Sequence, residues 1–193
     1  MRIIVNAFVT TLLFFVFSTA TQAQMFEDFE EGNKSSYAPA SVSLETGSWF
    51  FDDALIGTLE QDKKNGYRSA RIRNGFIRMD FCYPQGLSEL SVHAANFSSD
   101  TGGALQVRYS TDQGDTWDNL GNVITLTSEL TEYTIQESIS GNIRLKFEKV
   151  SGNRINVDDI LISDYIEFTE EPAILVRVNN LPYANGSTYD FGI

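Results

Sequence analysis

One cysteine, Cys82, and one histidine, His93, are all that this chain of 193 residues holds of either type. An intrachain disulfide is therefore excluded, as is a zinc site of the Cys/His kind built from one chain. Catalysis by a nucleophile and a histidine base would have to run through His93 alone. Positive charge is also scarce: 14 Lys and Arg stand against 26 Asp and Glu, for a formal net charge of −12. A broad cationic surface for duplex nucleic acid cannot be assembled from such a balance. Only four prolines occur, and no stretch shows helical hydrophobic periodicity. What is present is a globular composition, 42% hydrophobic and 12% aromatic, which argues against disorder and low-complexity sequence.

The first residues are set apart from the rest. Arg2 gives a positive start, Ile3 to Phe17 is mostly apolar, and Ser18-Thr19-Ala20-Thr21-Gln22-Ala23 is small and polar. These are the three parts of a secretory signal peptide, with cleavage expected between Ala23 and Gln24. The apolar run is shorter than the ~20 residues a membrane-spanning helix needs. No other segment is apolar enough to span, so no transmembrane anchor is expected. Loss of residues 1–23 removes Arg2 and no acid, which leaves 13 basic against 26 acidic residues. The expected product is an acidic, disulfide-free, secreted or cell-surface protein of bacterial type.

Glycines recur about every ten residues, and the segments between them alternate apolar with polar. Leu105, Val107 and Tyr109 oppose Gln106, Arg108 and Ser110; Ile143, Leu145 and Phe147 oppose Arg144, Lys146 and Glu148. Ala70 and Ile72 oppose Arg71 and Arg73, and Leu90, Val92 and Ala94 oppose Ser91, His93 and Ala95. Period two between turn signals marks half-buried antiparallel strands. Asn74-Gly75 lies between two such runs and predicts a two-residue hairpin turn. The fold class expected is all-β, a two-sheet antiparallel jelly-roll sandwich. Trp49, Phe50, Phe51 and Phe76 lie in runs expected to fill its core. The sandwich is assigned to residues 24–165 and a linker to 166–172. Residues 173–193 are too few for a β domain of their own and read as the start of a truncated one.

Ser110-Thr111-Asp112-Gln113-Gly114-Asp115-Thr116-Trp117 fits Ser-x-Asp-x-Gly-x-Thr-Trp and resembles the Asp box of sialidases and other secreted β proteins. The spacing has a physical basis. The Asp carboxylate accepts backbone N–H bonds within the turn, Gly allows a positive φ, and Trp packs back over the hairpin. In families that carry it the box is structural and lies away from active sites.

From Phe26 to Ile162 the chain resembles an accessory β-sandwich module of secreted Bacteroidetes-type multidomain proteins, similar to MAM and galactose-binding-like jelly rolls. The resemblance is carried by Phe29-Glu30, by Gly47-Ser48-Trp49-Phe50-Phe51-Asp52-Asp53-Ala54-Leu55-Ile56-Gly57 and by Lys64-Asn65-Gly66. It continues through Ser69-Ala70-Arg71-Ile72-Arg73, Tyr109-Ser110-Thr111 with the Gly and Trp that follow, and Asn153-Arg154-Ile155-Asn156-Val157-Asp158-Asp159-Ile160. Pro172 to Ile193 separately resembles the opening of an Ig-like repeat of bacterial surface proteins. Modules of this kind accompany extracellular nucleases and hydrolases, but no catalytic segment of such an enzyme is visible. The resemblance further implies that the first strand adjoins the approach to the last, where a Glu and an Asp often share Ca²⁺. Glu30, Asp158 and Asp159 are the candidate ligands of such a structural calcium ion, which needs 6–8 oxygens in all.

The remaining candidates are cationic. Lys63, Lys64, Arg68, Arg71, Arg73 and Arg78 fall within sixteen positions, and strand alternation turns Arg71, Arg73, Arg108, Arg144 and Lys146 away from the apolar face. If these strands share a sheet, they form a local cationic face beside His93 and Tyr109. The competing expectation is that each arginine pairs with an acid across the strands. Arg71, Arg73, His93, Arg108, Tyr109 and Arg144 are the candidate ligand-binding residues, with an extracellular polysaccharide or another anionic polymer as partner. The function expected is a non-catalytic binding or adhesion module. The alternative is an accessory domain of an extracellular nuclease or polysaccharide hydrolase whose catalytic domain lies elsewhere. A stand-alone polysaccharide lyase would have only His93 with Tyr109 or Arg108 to work with.

Overall fold

The computed structural model describes residues 24–167. The expected signal peptide and the expected Ig-like start both lie outside the described residues. Ten strands and no helix are found among them. They are β1 (Gln24–Glu27), β2 (Ala40–Leu44), β3 (Gly47–Gly57), β4 (Ser69–Met79) and β5 (Leu87–Asn96). Then follow β6 (Ala104–Ser110), β7 (Asp118–Thr125), β8 (Thr131–Ile139), β9 (Arg144–Ser151) and β10 (Ile155–Ser163). All pairings are antiparallel. No helix of the described residues is long and apolar enough to cross a membrane.

Two layers form because β3 and β4 run through both. The front sheet is β2-β3-β4-β9-β6-β7, and the back sheet is β3-β4-β10-β5-β8 with β1 on β10. β4 pairs β10 through Ala70–Ile72 and β9 through Phe76–Arg78. The change of partner falls at Asn74-Gly75, where a hairpin was expected; the strand instead continues. The glycine is required by proximity. A Cβ on Gly75 would lie 2.0 Å from the Asp52 carbonyl oxygen, opposite the bulge between Asp52 and Ala54 on β3. Asp53 takes a positive φ of 43° in that bulge. Bulge and glycine together bend the hairpin over the sandwich edge.

Period two then sorts the side chains. Trp49, Phe51, Ile72, Ile77, Leu105, Val107, Leu145 and Phe147 are fully buried between the layers. Trp49 is central: Phe29 meets its ring edge-on at 6.1 Å and Phe81 at 6.2 Å. Its indole Nε1 donates to Thr46 Oγ1 at 2.9 Å, and that hydroxyl donates to buried Glu27 at 2.6 Å. Phe50 and Phe76 depart from the core expectation. Each precedes a core residue by one position, so each stands half-buried on the outer face of the front sheet.

The outer face of the back sheet is covered by the loop of residues 58–68. Asp62 is its staple. Arg71 Nε and Nη2 donate to the two Asp62 oxygens at 2.6 Å each, and Asn156 Nδ2 donates at 2.9 Å. Leu59 N also donates to Asp62 at 2.8 Å, and Lys63 N donates to Asn156 Oδ1 at 3.1 Å. Asp62 is 4% exposed and Arg71 8%, so the pair is withdrawn from water. Removing one member leaves the other charge buried without its partner, which costs ~3–5 kcal/mol. Asp62→Ala is therefore expected to destabilise the fold by about that amount in urea denaturation, whereas Asp53→Asn, which keeps a residue that tolerates positive φ and removes the charge against a half-exposed Arg73, should change stability by less than ~1 kcal/mol.

Candidate functional site

The structure distributes the six predicted ligand residues over both sheets. Arg71 lies beneath the loop on Asp62, its guanidinium 4.4 Å from the Phe97 ring centre. Arg73 sits beside the β4 bend, paired to Asp53 at 2.6 Å and stacked 4.3 Å from Tyr37. His93 is on β5 in the back sheet, opposite Asp158 and Glu132. Tyr109 is on β6 but turned inward, packed against the core. Only Arg108 and Arg144 share the front face, on β6 and β9. Arg144 Nε donates to Cys82 Sγ at 3.3 Å, and Arg108 Nε donates to Glu148 at 2.7 Å. A single patch uniting His93 and Tyr109 with the arginines is not formed, because the layers part them and Tyr109 belongs to the inward set.

A different group is brought together on the front face. Register aligns Phe50 of β3 with Arg78 of β4, Arg78 with Lys146 of β9, Lys146 with Arg108 of β6, and Arg108 with Asn119 of β7. The neighbouring line runs Asp52, Phe76, Glu148 and Gln106. Phe50 and Phe76 pack at 6.2 Å between ring centres. Lys146 Nζ lies 5.4 Å from the Phe76 centre and 4.7 Å from that of Trp117. Arg78 stacks on Phe50 at 5.0 Å.

Trp117 reaches that position from the β6–β7 hairpin. Asp112 accepts the Thr116 amide at 3.0 Å and its hydroxyl at 2.5 Å, and it accepts the Ser110 hydroxyl at 2.6 Å. These bonds hold its carboxyl well below the ordinary aspartate range. Gln113 and Gly114 both take positive φ, and Trp117 Nε1 donates to the Gly114 carbonyl at 3.0 Å. The indole is thereby laid back across β9. Sequence reasoning placed Phe50 and Phe76 inside. The signal that would have moved them out is the same alternation, since Trp49, Phe51 and Ile77 already claim the inner face.

The carboxylate candidates lie on the back of the fold, against the 58–68 loop. Asp158 is fully buried on β10, where the register slips before Leu161 and Asp159 takes a positive φ of 43°. Its oxygens accept the Asn65 amide at 2.7 Å and the Asp159 amide at 3.0 Å. Glu30 Oε1 accepts the Tyr67 amide at 2.8 Å and the Arg68 amide at 2.9 Å, so both carboxylates grip one loop. Gly66 makes room for Glu30, since a Cβ there would lie 2.5 Å from Glu30 Oε1. Burial, with the charges of Asp159 and Glu30 adding to it, pushes the Asp158 carboxyl up to about 8. Asp159 itself approaches His93 Nδ1 at 3.7 Å, and that nitrogen is buried without a hydrogen-bond partner. Among the described residues no group of three or more His, Cys, Asp or Glu side chains is gathered for a metal. A hard cation here would have Glu30 and Asp158 as carboxylate donors and would need further oxygens to reach the 6–8 that calcium takes.

These features define a jelly-roll β-sandwich, and comparison with solved structures supports that class. A cleaved adhesin domain of Lys-gingipain superposes with a TM-score of 0.50 at 14% identity, over 72% of this chain and 99% of that one. TmCBM61 in complex with β-1,4-galactotriose gives 0.46 at 14% identity, over 72% and 95%. A family 29 carbohydrate-binding module gives 0.41 at 12%, over 78% and 100%. At such identities the likeness concerns the fold. No family profile matches the chain, and no curated protein matches it.

The Asp158 environment has a consequence for stability. A carboxyl near 3.8 when unfolded and about 8 when folded binds its proton more tightly in the native state. The stability it contributes is complete below pH ~4 and is lost as pH rises toward ~8. In chelator, the unfolding free energy of the protein is expected to fall across that window, by at most ~1.4 kcal/mol per pH unit from this group. Asp158→Asn should flatten the slope, and urea titrations at several pH values measure both.

Proposed function

We propose that this chain is a non-catalytic binding module of a secreted or cell-surface bacterial protein, docking on an extracellular polysaccharide through its front sheet. The observation that carries this reading is the outer face itself. Phe50, Phe76 and Trp117 stand half-open to solvent on paired strands and a hydrogen-bonded hairpin, among Arg78, Lys146, Arg108 and Glu148. Rings held in this way offer flat apolar faces at small entropic cost, and the polar groups between them can fix the orientation of a sugar. The cleaved adhesin domain of Lys-gingipain shares the fold.

A structural calcium ion is part of the same proposal. Glu30 and Asp158 would supply its carboxylates, with Asp159 beside them, and the bound charge would hold Asp158 ionised. Tying the 63–68 loop to the first and last strands is the role such an ion would have here. The ion would have no part in chemistry.

Two measurements test the proposal. Titration of the protein against a panel of soluble glycans is expected to find a binder, and Phe76→Ala and Trp117→Ala should each weaken it about tenfold. Unchanged affinity in both variants would remove the front face from consideration. Calcium at a hundredfold excess over its Kd should stabilise the fold by ~2.7 kcal/mol relative to chelator; identical unfolding midpoints would dismiss the ion.

A further inference from the structure

Directly opposed like charges on neighbouring strands are destabilising, yet the front sheet places three cations in one line. Arg78, Lys146 and Arg108 are consecutive partners across β4, β9 and β6. The two outer members have partial anchors. Arg108 holds Glu148 at 2.7 Å and Asn119 Oδ1 at 2.7 Å, and Arg78 lies 3.5 Å from Asp80. Even so, Arg78 Nε is buried and makes no hydrogen bond, because the Asp80 contact is too long to serve as one. Lys146 in the middle has no ion pair among the described residues; its ammonium rests only against the Phe76 and Trp117 rings. Burial lowers its pKa from the ordinary lysine range, and Arg108 and Arg78 lower it further, against the opposing pull of Glu148. In a protein of net charge −12, a lysine left without an ion pair between two arginines requires an account.

We infer that the Arg78–Lys146–Arg108 line is a carboxylate subsite, and that the polysaccharide it selects is an acidic one built of hexuronate residues. The inference rests on the binding-module reading above and adds the chemical class of the ligand. The charge calls for an anion, and the flanking rings narrow the choice. A hexuronate carries its carboxylate on the same ring that presents an apolar C–H face. It can therefore set the carboxylate on Lys146 and Arg78 while its face lies on Phe76 or Trp117. An acidic peptide offers the charge at the end of a flexible stem without a flat face beside it. A nucleotide separates phosphate from base by a ribose, so its charge and its flat face do not sit on one ring. Arg108 and Glu148, already joined, remain at the rim to receive hydroxyl groups.

The experiment is calorimetric titration of the full chain with polygalacturonate, with its fully methyl-esterified form and with neutral galactan. Polygalacturonate should bind, more weakly as salt rises, and the methyl ester should bind no better than galactan. Lys146→Gln should weaken polygalacturonate binding about tenfold, and Arg78→Gln similarly, while the unfolding midpoint of Lys146→Gln is held or raised because a repulsion is removed. Equal binding of acid and ester, or unchanged affinity in both variants, would overturn the inference. Galactan bound through Phe76 with polygalacturonate ignored would overturn it and leave the binding-module reading standing. A thymidine oligonucleotide bound in preference to polygalacturonate would also overturn it. If no glycan of either class binds, both readings fall.

Discussion

Everything in this fold depends on how closely β4 passes β3 at Gly75. The strand is continuous there, but it exchanges β10 for β9, and only a residue without a Cβ tolerates the Asp52 carbonyl at that distance. Had the chain turned back at Asn74-Gly75, β3 and β4 would serve one layer and the two halves of the sheet would lack their shared edge. The bend lets one hairpin feed both layers, so that a single aromatic cluster around Trp49 fills the space between them. The register it imposes on β9 then sets which side chains meet across the front face.

The two outer faces are finished in opposite ways. The back face is closed by a polar lid in which Asp62, Arg71 and Asn156 satisfy one another, so that Arg71 is a structural cation. The front face carries no such lid among the described residues. Its rings and cations are half-open, and its anchoring hydrogen bonds come from the strands and from the Asp112 hairpin. A cation without an ion pair is tolerated on such an open face because solvent can reach it. The carboxylates at Glu30 and Asp158 belong to the closed side, where they hold the lid loop from below.

Much of this was present in the sequence. The alternation around Val107, Phe147, Ile72 and Val92 fixed the all-β class and the inward set, because a pleated strand can bury only every second residue. The turn residues of the Ser110–Trp117 hairpin act within eight positions, so their chemistry is local and readable. Applied strictly, the same alternation would also have turned Phe50 and Phe76 outward; strong hydrophobicity alone misassigned them.

What only the tertiary structure decided is partnership. Asn74-Gly75 carries the same letters whether it turns a hairpin or admits a neighbouring carbonyl, and the choice rests on β3, some twenty residues away. Arg71 and Arg108 occupy equivalent positions in their alternating runs, yet one is sealed under a loop and the other stands on the open face. Lys146 reads as one more outward lysine until register sets it between Arg78 and Arg108. Period two determines the face a side chain takes. Its neighbours on that face come from pairings between residues as far apart as Gln24 and Ser163, and those are set by the packing of the whole sandwich.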